Sequence, residues 1–301
     1  MNKKLRGTIL LLIATIIWGS AFVSQHIVTN RLGPFTFQAA RCFLAVLAML
    51  PVIALFDRRK LDGKTFLSRW MDKKLWMAGI LCGIPLFLAT NLQQLGLADT
   101  HPGKSGFLTA MYIVIVPIIG ILRGKRPTIM IPISVALAVC GMYCLSCIGV
   151  TGISIADLLL LGCALMFAVQ ITVVDIYAPT VDPLRLNALQ ALICGLISAG
   201  VMVFTESATL QDLATCALPI AHTGILSMGL AYGLQIFAQK DLPPAPASLL
   251  MSLESVFALL FGLLFSNETM NLWKAIGCTL IFLSVILSQI PIRNKRNPAC
   301  T

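Results

Sequence analysis

Charge is scarce in this chain. Of 301 residues only 11% are Asp, Glu, Lys or Arg, while 58% are hydrophobic; soluble domains carry about 25% charged residues. That excludes a soluble globular protein. The chain instead divides into about ten apolar runs of the roughly 20 residues a spanning helix needs, and no stretch is left for a soluble domain. Acids are scarcer than bases, with 12 Asp and Glu against 22 Lys and Arg and a net charge of +10. A nucleic-acid binder gathers such cations on a soluble face. Here they sit in short loops between apolar runs, so membrane orientation, and not nucleic acid, accounts for the excess.

Ligand-forming residues are sparse too. The 3 histidines, His26, His101 and His222, are scattered and predict interfacial positions instead of a metal site. The 10 cysteines mostly fall inside apolar runs, where they suit small packing residues better than a disulfide framework or zinc ligands. No prosthetic group or other cofactor is expected. The spans hold no paired carboxylates, no Asp/His cluster and no Ser/His constellation, which weighs against a membrane-embedded enzyme. The loops are too short for a signalling domain, which weighs against a non-transporting receptor or scaffold. Both remain the alternatives.

The predicted spans are Gly7–Thr29, Pro34–Phe56, Leu75–Ala98, Gly103–Leu122 and Thr128–Ile148, then Ile153–Ile176, Leu184–Phe204, Cys216–Gln239, Ala245–Phe265 and Leu272–Pro291. Lys3, Lys4 and Arg6 before an apolar run resemble a signal peptide, but the run continues to Val28 and reads as a first span. With the N-terminus inside, only Arg31, Lys104 and Lys274 of the 22 cations fall in outer loops, and Arg41 lies within a span. This asymmetry places both termini in the cytoplasm. Between the second and third spans, Phe66, Leu67, Trp70 and Met71 recur at helical spacing among basic residues. They fit either a short helix on an anionic membrane surface or a solvated loop. Gly79/Gly83 and Gly229/Gly233 permit close helix approach, and a homodimer is possible. Pro85 and Pro117 predict kinks beside a cavity.

Internal symmetry carries the functional argument. At a constant offset of 142 positions Leu92 aligns with Leu234, Gln93 with Gln235, Asp99 with Asp241, Pro102 with Pro244 and Gly120 with Gly262. A second offset of 149 aligns Trp18 with Phe167, Pro34 with Pro183 and Arg41 with Gln190. Residues 1–149 and 150–301 therefore read as copies of one five-helix unit. Five is odd, so the second copy enters the membrane from the opposite side. The predicted fold is an all-α polytopic membrane protein of ten transmembrane helices in two inverted repeats, a plan of secondary transporters whose solute sites lie near the midplane and which move small molecules by alternating access.

The candidate pathway residues follow from that symmetry. Glu254 is an isolated acid in the middle of the ninth span; buried carboxylates there are costly and are functional candidates by default. Its repeat mate is Tyr112, which suggests facing walls of one cavity. The other reading of Glu254 is an interhelical hydrogen bond or a pair with Arg41. Arg41 either attracts anionic solutes or snorkels to the outer headgroups. Gln93 and Gln235 are mates on the third and eighth spans, Tyr232 shares a face with Gln235, and Gln170 lies a turn from Phe167. Amides in spans either join helices or recognise solutes. Trp18 serves as core or as an aromatic platform.

Trp18-Gly-Ser-Ala-Phe in the first span, Gly106-Phe-Leu-Thr-Ala-Met-Tyr-Ile-Val-Ile-Val-Pro117 in the fourth, and Ser252-Leu-Glu-Ser-Val-Phe-Ala258 with Asn267-Glu268 in and after the ninth resemble the EamA-type transporters of the drug/metabolite superfamily. The resemblance covers nearly the whole chain. It implies a multi-pass carrier of the bacterial inner membrane that exports amino acids or other metabolites, a central cavity between the repeats, and fifth and tenth helices at the periphery. Ser255 stands where such proteins often have proline, which predicts a straighter ninth helix.

Overall fold

The computed structural model describes residues 2–29, 31–59, 65–100, 102–125, 127–146, 154–265 and 269–290. Within them the chain is helical and contains no strand. Ten apolar helices run in order: α1 (Lys3–Thr29), α2 (Pro34–Arg58), α3 (Lys73–Ala98), α4 (Pro102–Thr109 continuing as Tyr112–Leu122), α5 (Met130–Ser146), α6 (Ile155–Tyr177), α7 (Pro183–Thr205), α8 (Ala217–Ala221, His222–Ala231 and Tyr232–Gln239), α9 (Pro244–Met251 and Leu253–Phe265) and α10 (Leu272–Gln289). Nine of these are long and apolar enough to cross a membrane, and α5 is the short tenth. This is a polytopic membrane protein.

Local chemistry sets the helix starts. Pro34 and Pro183 occupy first-turn positions, where a missing N–H costs nothing. Asp182 accepts from the backbone N–H of Leu184 and Arg185, and Ser154 with Asp157 forms a capping box on α6. At the N-terminus of α2 the cap comes from elsewhere: the Glu206 carboxylate, just beyond α7, accepts from the backbone N–H of Phe35 and Thr36 at 3.0 and 2.8 Å. An anion is favoured at such an end by the helix dipole.

Packing interleaves the two repeats. Helix α1 packs on α8 and α9, and its counterpart α6 packs on α3 and α4; α2 packs on α8 as α7 packs on α3. The pairs α2·α7 and α5·α10 are their own counterparts. This swapped symmetry is what a two-fold axis through the bundle produces. Two groups result, α1, α2, α8, α9 and α3, α4, α6, α7, each drawing on both repeats. Small residues set the closest crossings. A Cβ on Gly19 would lie 2.4 Å from that of Phe257, and one on Gly277 would lie 2.5 Å from the Gly141 carbonyl. Gly79 and Gly83 meet Leu189 and Ile193 in the same way at 2.7 Å, whereas Gly229 and Gly233 have no protein atom closer than 3.4 Å. The second glycine pair is thus not a tight crossing.

Several expectations are corrected. The break in α4 falls at Ala110–Met111 and not at Pro117, which lies inside a continuous helix, as Pro85 does in α3. Despite Ser255, α9 is interrupted at Ser252. In both places the hydrogen bonds tighten to the shorter i to i−3 register, as in Ile113 N–H to Ala110 and Ser255 N–H to Ser252. Serine competes for the backbone there, Ser252 Oγ donating to the Leu249 carbonyl at 2.7 Å. Among the described residues after α2, Ser68–Trp70 forms a 3-10 turn; Leu67 and Met71 are exposed, but the Phe66 and Trp70 rings lie 5.8 and 5.3 Å from the Arg185 guanidinium. Arg185 is no loop cation. It is buried and paired with Asp57 and with Asp182. His222 reaches inward and bridges Ser20 and Ser24 at 3.1 and 2.9 Å. Outside the described residues fall Lys60, Lys64, His101, Arg126, Cys147, Ile148, Ile153, Asn267, Glu268, Pro291, Arg293, Lys295, Arg296 and Cys300, and the side chain of Lys104.

Candidate functional site

The helix breaks create the site. Tyr112 opens the second half of α4, Glu254 lies one residue into the second half of α9, and the Tyr112 hydroxyl donates to Glu254 Oε1 at 3.0 Å. The repeat mates meet across the two interleaved groups, in the middle of their helices. The expected facing walls of a cavity are therefore present, and an interhelical hydrogen bond is present with them. No ion pair within 4.0 Å joins Glu254 to Arg41.

Around this bond lies a cavity far smaller than the roughly 300–1,000 Å³ of occupied small-molecule sites. It is narrow, since a water-sized sphere can centre itself in only about 40 Å³ of it. Side chains must part to admit a metabolite. All seven expected pathway residues, Trp18, Gln93, Tyr112, Gln170, Tyr232, Gln235 and Glu254, line it together with Arg41. The remaining lining residues are Phe22, Gln25, Ile171, Ser227 and Met251 with Phe167. None of the lining comes from α5, α7 or α10, so α5 and α10 lie outside the site.

Several of the polar residues are held by definable contacts. Gln93 donates to Thr109 Oγ1 at 3.4 Å. Gln235 donates both to Gln170 Oε1 at 3.2 Å and to Gln239 Oε1 at 2.9 Å, and Gln170 donates on to Gln190. Aromatic edges brace the walls, with Trp18 to Tyr232 at 5.1 Å and Phe167 to Tyr112 at 6.4 Å between centroids. Asn91 and Gln94, by contrast, join helices: Asn91 bonds Ser198, and Gln94 bonds the Gln25 carbonyl.

Arg41 does not snorkel. It is 3% exposed, with its guanidinium carbon 5.0 Å above the Phe37 ring. Its Nε donates to Gln38 Oε1 at 2.7 Å, and the Gln38 amide is itself anchored on the sulfurs of Cys42 and Cys194. Among the described residues no hydrogen bond or ion pair uses the terminal guanidinium nitrogens. The indole N–H of Trp18 and the side-chain carbonyls of Gln25 and Gln235 are buried without a partner. Buried polar groups are nearly always satisfied; these three line the cavity, and other exceptions, such as Ser105 and Ser134, lie elsewhere in the bundle.

Ser227, Phe22 and Ile171 were not legible as site residues. Ser227 lies in the π-helical stretch His222–Ala231, a register that apolar periodicity does not encode and that is frequent at functional sites.

Among the described residues no group of three or more His, Cys, Asp or Glu could hold a metal ion. Comparison with known proteins matches the EamA-like transporter family over residues 5–147 and again over 154–289. An uncharacterized transporter from Archaeoglobus fulgidus is 32% identical over 96% of this chain and 88% of its own length. A WAT1-related chloroplastic protein of Arabidopsis thaliana is 24% identical over 92% of this chain and 68% of its own. A crystal structure covering 94% of this chain and 96% of its own superposes with a TM-score of 0.77 at 18% identity, a likeness of fold. The two matches tile the chain as two copies of one unit, and this membrane transporter belongs to the EamA-like transporter family.

Proposed function

We propose that this chain is a secondary transporter that carries small amphipathic metabolites, amino acids or related solutes, outward across the plasma membrane by alternating access, with both termini in the cytoplasm. The observation that supports this most is the Tyr112–Glu254 bond at the centre of a mixed polar and aromatic cavity between the two interleaved groups. A solute that takes over one partner of that bond loosens the contact between the groups, which couples binding to their relative motion. The membrane side rests on the loop cations. Coupling to protons belongs to Glu254, the one acid in the cavity lining.

The test is counterflow in proteoliposomes of the purified protein, with labelled amino acids and related metabolites, with and without an imposed pH gradient. Saturable accumulation of one class is expected, and Glu254→Gln should fold while losing the response to the gradient. A folded, inserted protein that moves no solute, or a variant that transports as the parent does at every pH, contradicts the reading.

A further inference from the structure

Unlike the other polar residues of the cavity, Arg41 is a cation, and among the described residues no ion pair within 4.0 Å engages it. An arginine retained only to join helices would spend its terminal N–H groups on carbonyls of neighbouring helices. Here only Nε is spent, on Gln38, and that bond fixes the plane of the fork. Trp18, 8% exposed on α1, lines the same cavity, and its indole N–H is a second unpartnered donor. Two donors, one of them a planar cationic fork, match an acceptor with two oxygens and a negative charge. The repeat mate of Arg41 is Gln190, which is neutral and engaged with Gln170 and Asn187. The positive charge is therefore on one wall only. The lining also offers apolar and aromatic surface, Phe22, Met251 and Phe167, for an uncharged body, and its one acid, Glu254, is engaged by the Tyr112 hydroxyl.

We infer that Arg41 and Trp18 form a receptor for a carboxylate, so that the solutes selected by this cavity are apolar molecules bearing a carboxylate at one end. The inference rests on the cavity being the transport site. Arg41 sets specificity, and Gln38, held by Cys42 and Cys194, positions it.

The experiment measures binding of 4-methylpentanoate against 4-methylpentanamide, and of leucine against leucinamide, to the full-length protein in lipid nanodiscs, with counterflow run on the same preparation. Each pair differs in the carboxylate and little in shape. The carboxylates should bind about tenfold to a hundredfold tighter than their amides, the range of a charge-assisted hydrogen bond. Arg41→Gln should abolish that preference, Arg41→Lys should keep part of it as a charge without a fork, and Trp18→Phe should lower it about threefold. Equal binding within each pair, or no carboxylate binding, overturns the inference. So does a preference that survives Arg41→Gln in folded protein. If that variant does not fold, a preference undiminished in both Arg41→Lys and Trp18→Phe overturns it. A carboxylate preference without counterflow retains the receptor and contradicts the carrier; counterflow without the preference does the reverse.

Discussion

Tyr112 and Glu254 show how much rests on single side chains here. Tyr112 is 4% exposed and its ring braces Phe167, so Tyr112→Phe keeps the packing and removes one donor. It should lower kcat/KM about tenfold with little loss of stability, the effect of one hydrogen bond, as read by counterflow kinetics beside a thermal unfolding curve. Arg185 is the opposite case. It is buried at the end of the bundle that carries the basic loops, paired with Asp57 and Asp182 and flanked by Phe66 and Trp70. Breaking a buried ion pair from one side leaves its partner unneutralised. Arg185→Ala should therefore cost about 3 kcal/mol, seen in denaturation of the purified protein, and the double variant with Asp57→Asn should cost less than the two singles added. A transport defect without a stability loss would assign Arg185 to the pathway instead.

At the scale of elements, the helices fall into those that meet at the cavity and those that do not, and glycine tests the division. Gly19 lets α1 touch α9, where an added Cβ would meet Phe257 Cβ at 2.4 Å and backbone at 2.8 Å. Gly19→Ala should cost about 1–3 kcal/mol through overpacking and also raise KM, because Trp18 and Glu254 stand on either side of that crossing. Gly277→Ala at the α5·α10 crossing should cost a similar amount with KM unchanged. Equal effects on KM would contradict the placement of α5 and α10 outside the site. The helices themselves were legible from apolar run length; the Gly19 crossing was not, since glycine spacing singled out Gly79/Gly83 and Gly229/Gly233 instead. The π stretch of α8 was not, because His222–Ala231 has the same apolar pattern in either register. Nor was the break at Ser252, where serine back-bonding and 3-10 turns outweighed the expectation drawn from the missing proline. Within the site, Tyr112 and Glu254 could be paired because the repeat offset equalises their depth. The hold on Arg41 could be read only in part: Gln38 lies one turn away in sequence, but Cys194 arrives from α7, and nothing local announces it. Arg185 misled because a cation beside a turn looks solvated until Asp57 closes on it from α2.

At the scale of the whole molecule, each of the two groups contains helices from both repeats, so the bodies that alternating access would move are not the repeats themselves. The α2·α7 contact is clamped at both ends, by Glu206 on the start of α2 and by Arg185 on Asp57. The α4·α9 contact, on which Tyr112 and Glu254 meet, has no ion pair among the described residues. Rocking about α2·α7 would open the cavity toward one end of the bundle while closing the other. The most direct test is pulsed electron-electron resonance on the reconstituted protein, with accessible native cysteines replaced and spin labels in two pairs. One pair is Leu5 with Leu122, on α1 and α4 at the basic end; the other is Ile27 with Ile155, on α1 and α6 at the opposite end. All four side chains are exposed. With a solute that passes the counterflow assay at saturation, the account predicts that the two distances shift in opposite senses. Distances that stay fixed, or that lengthen and shorten together, would contradict alternating access.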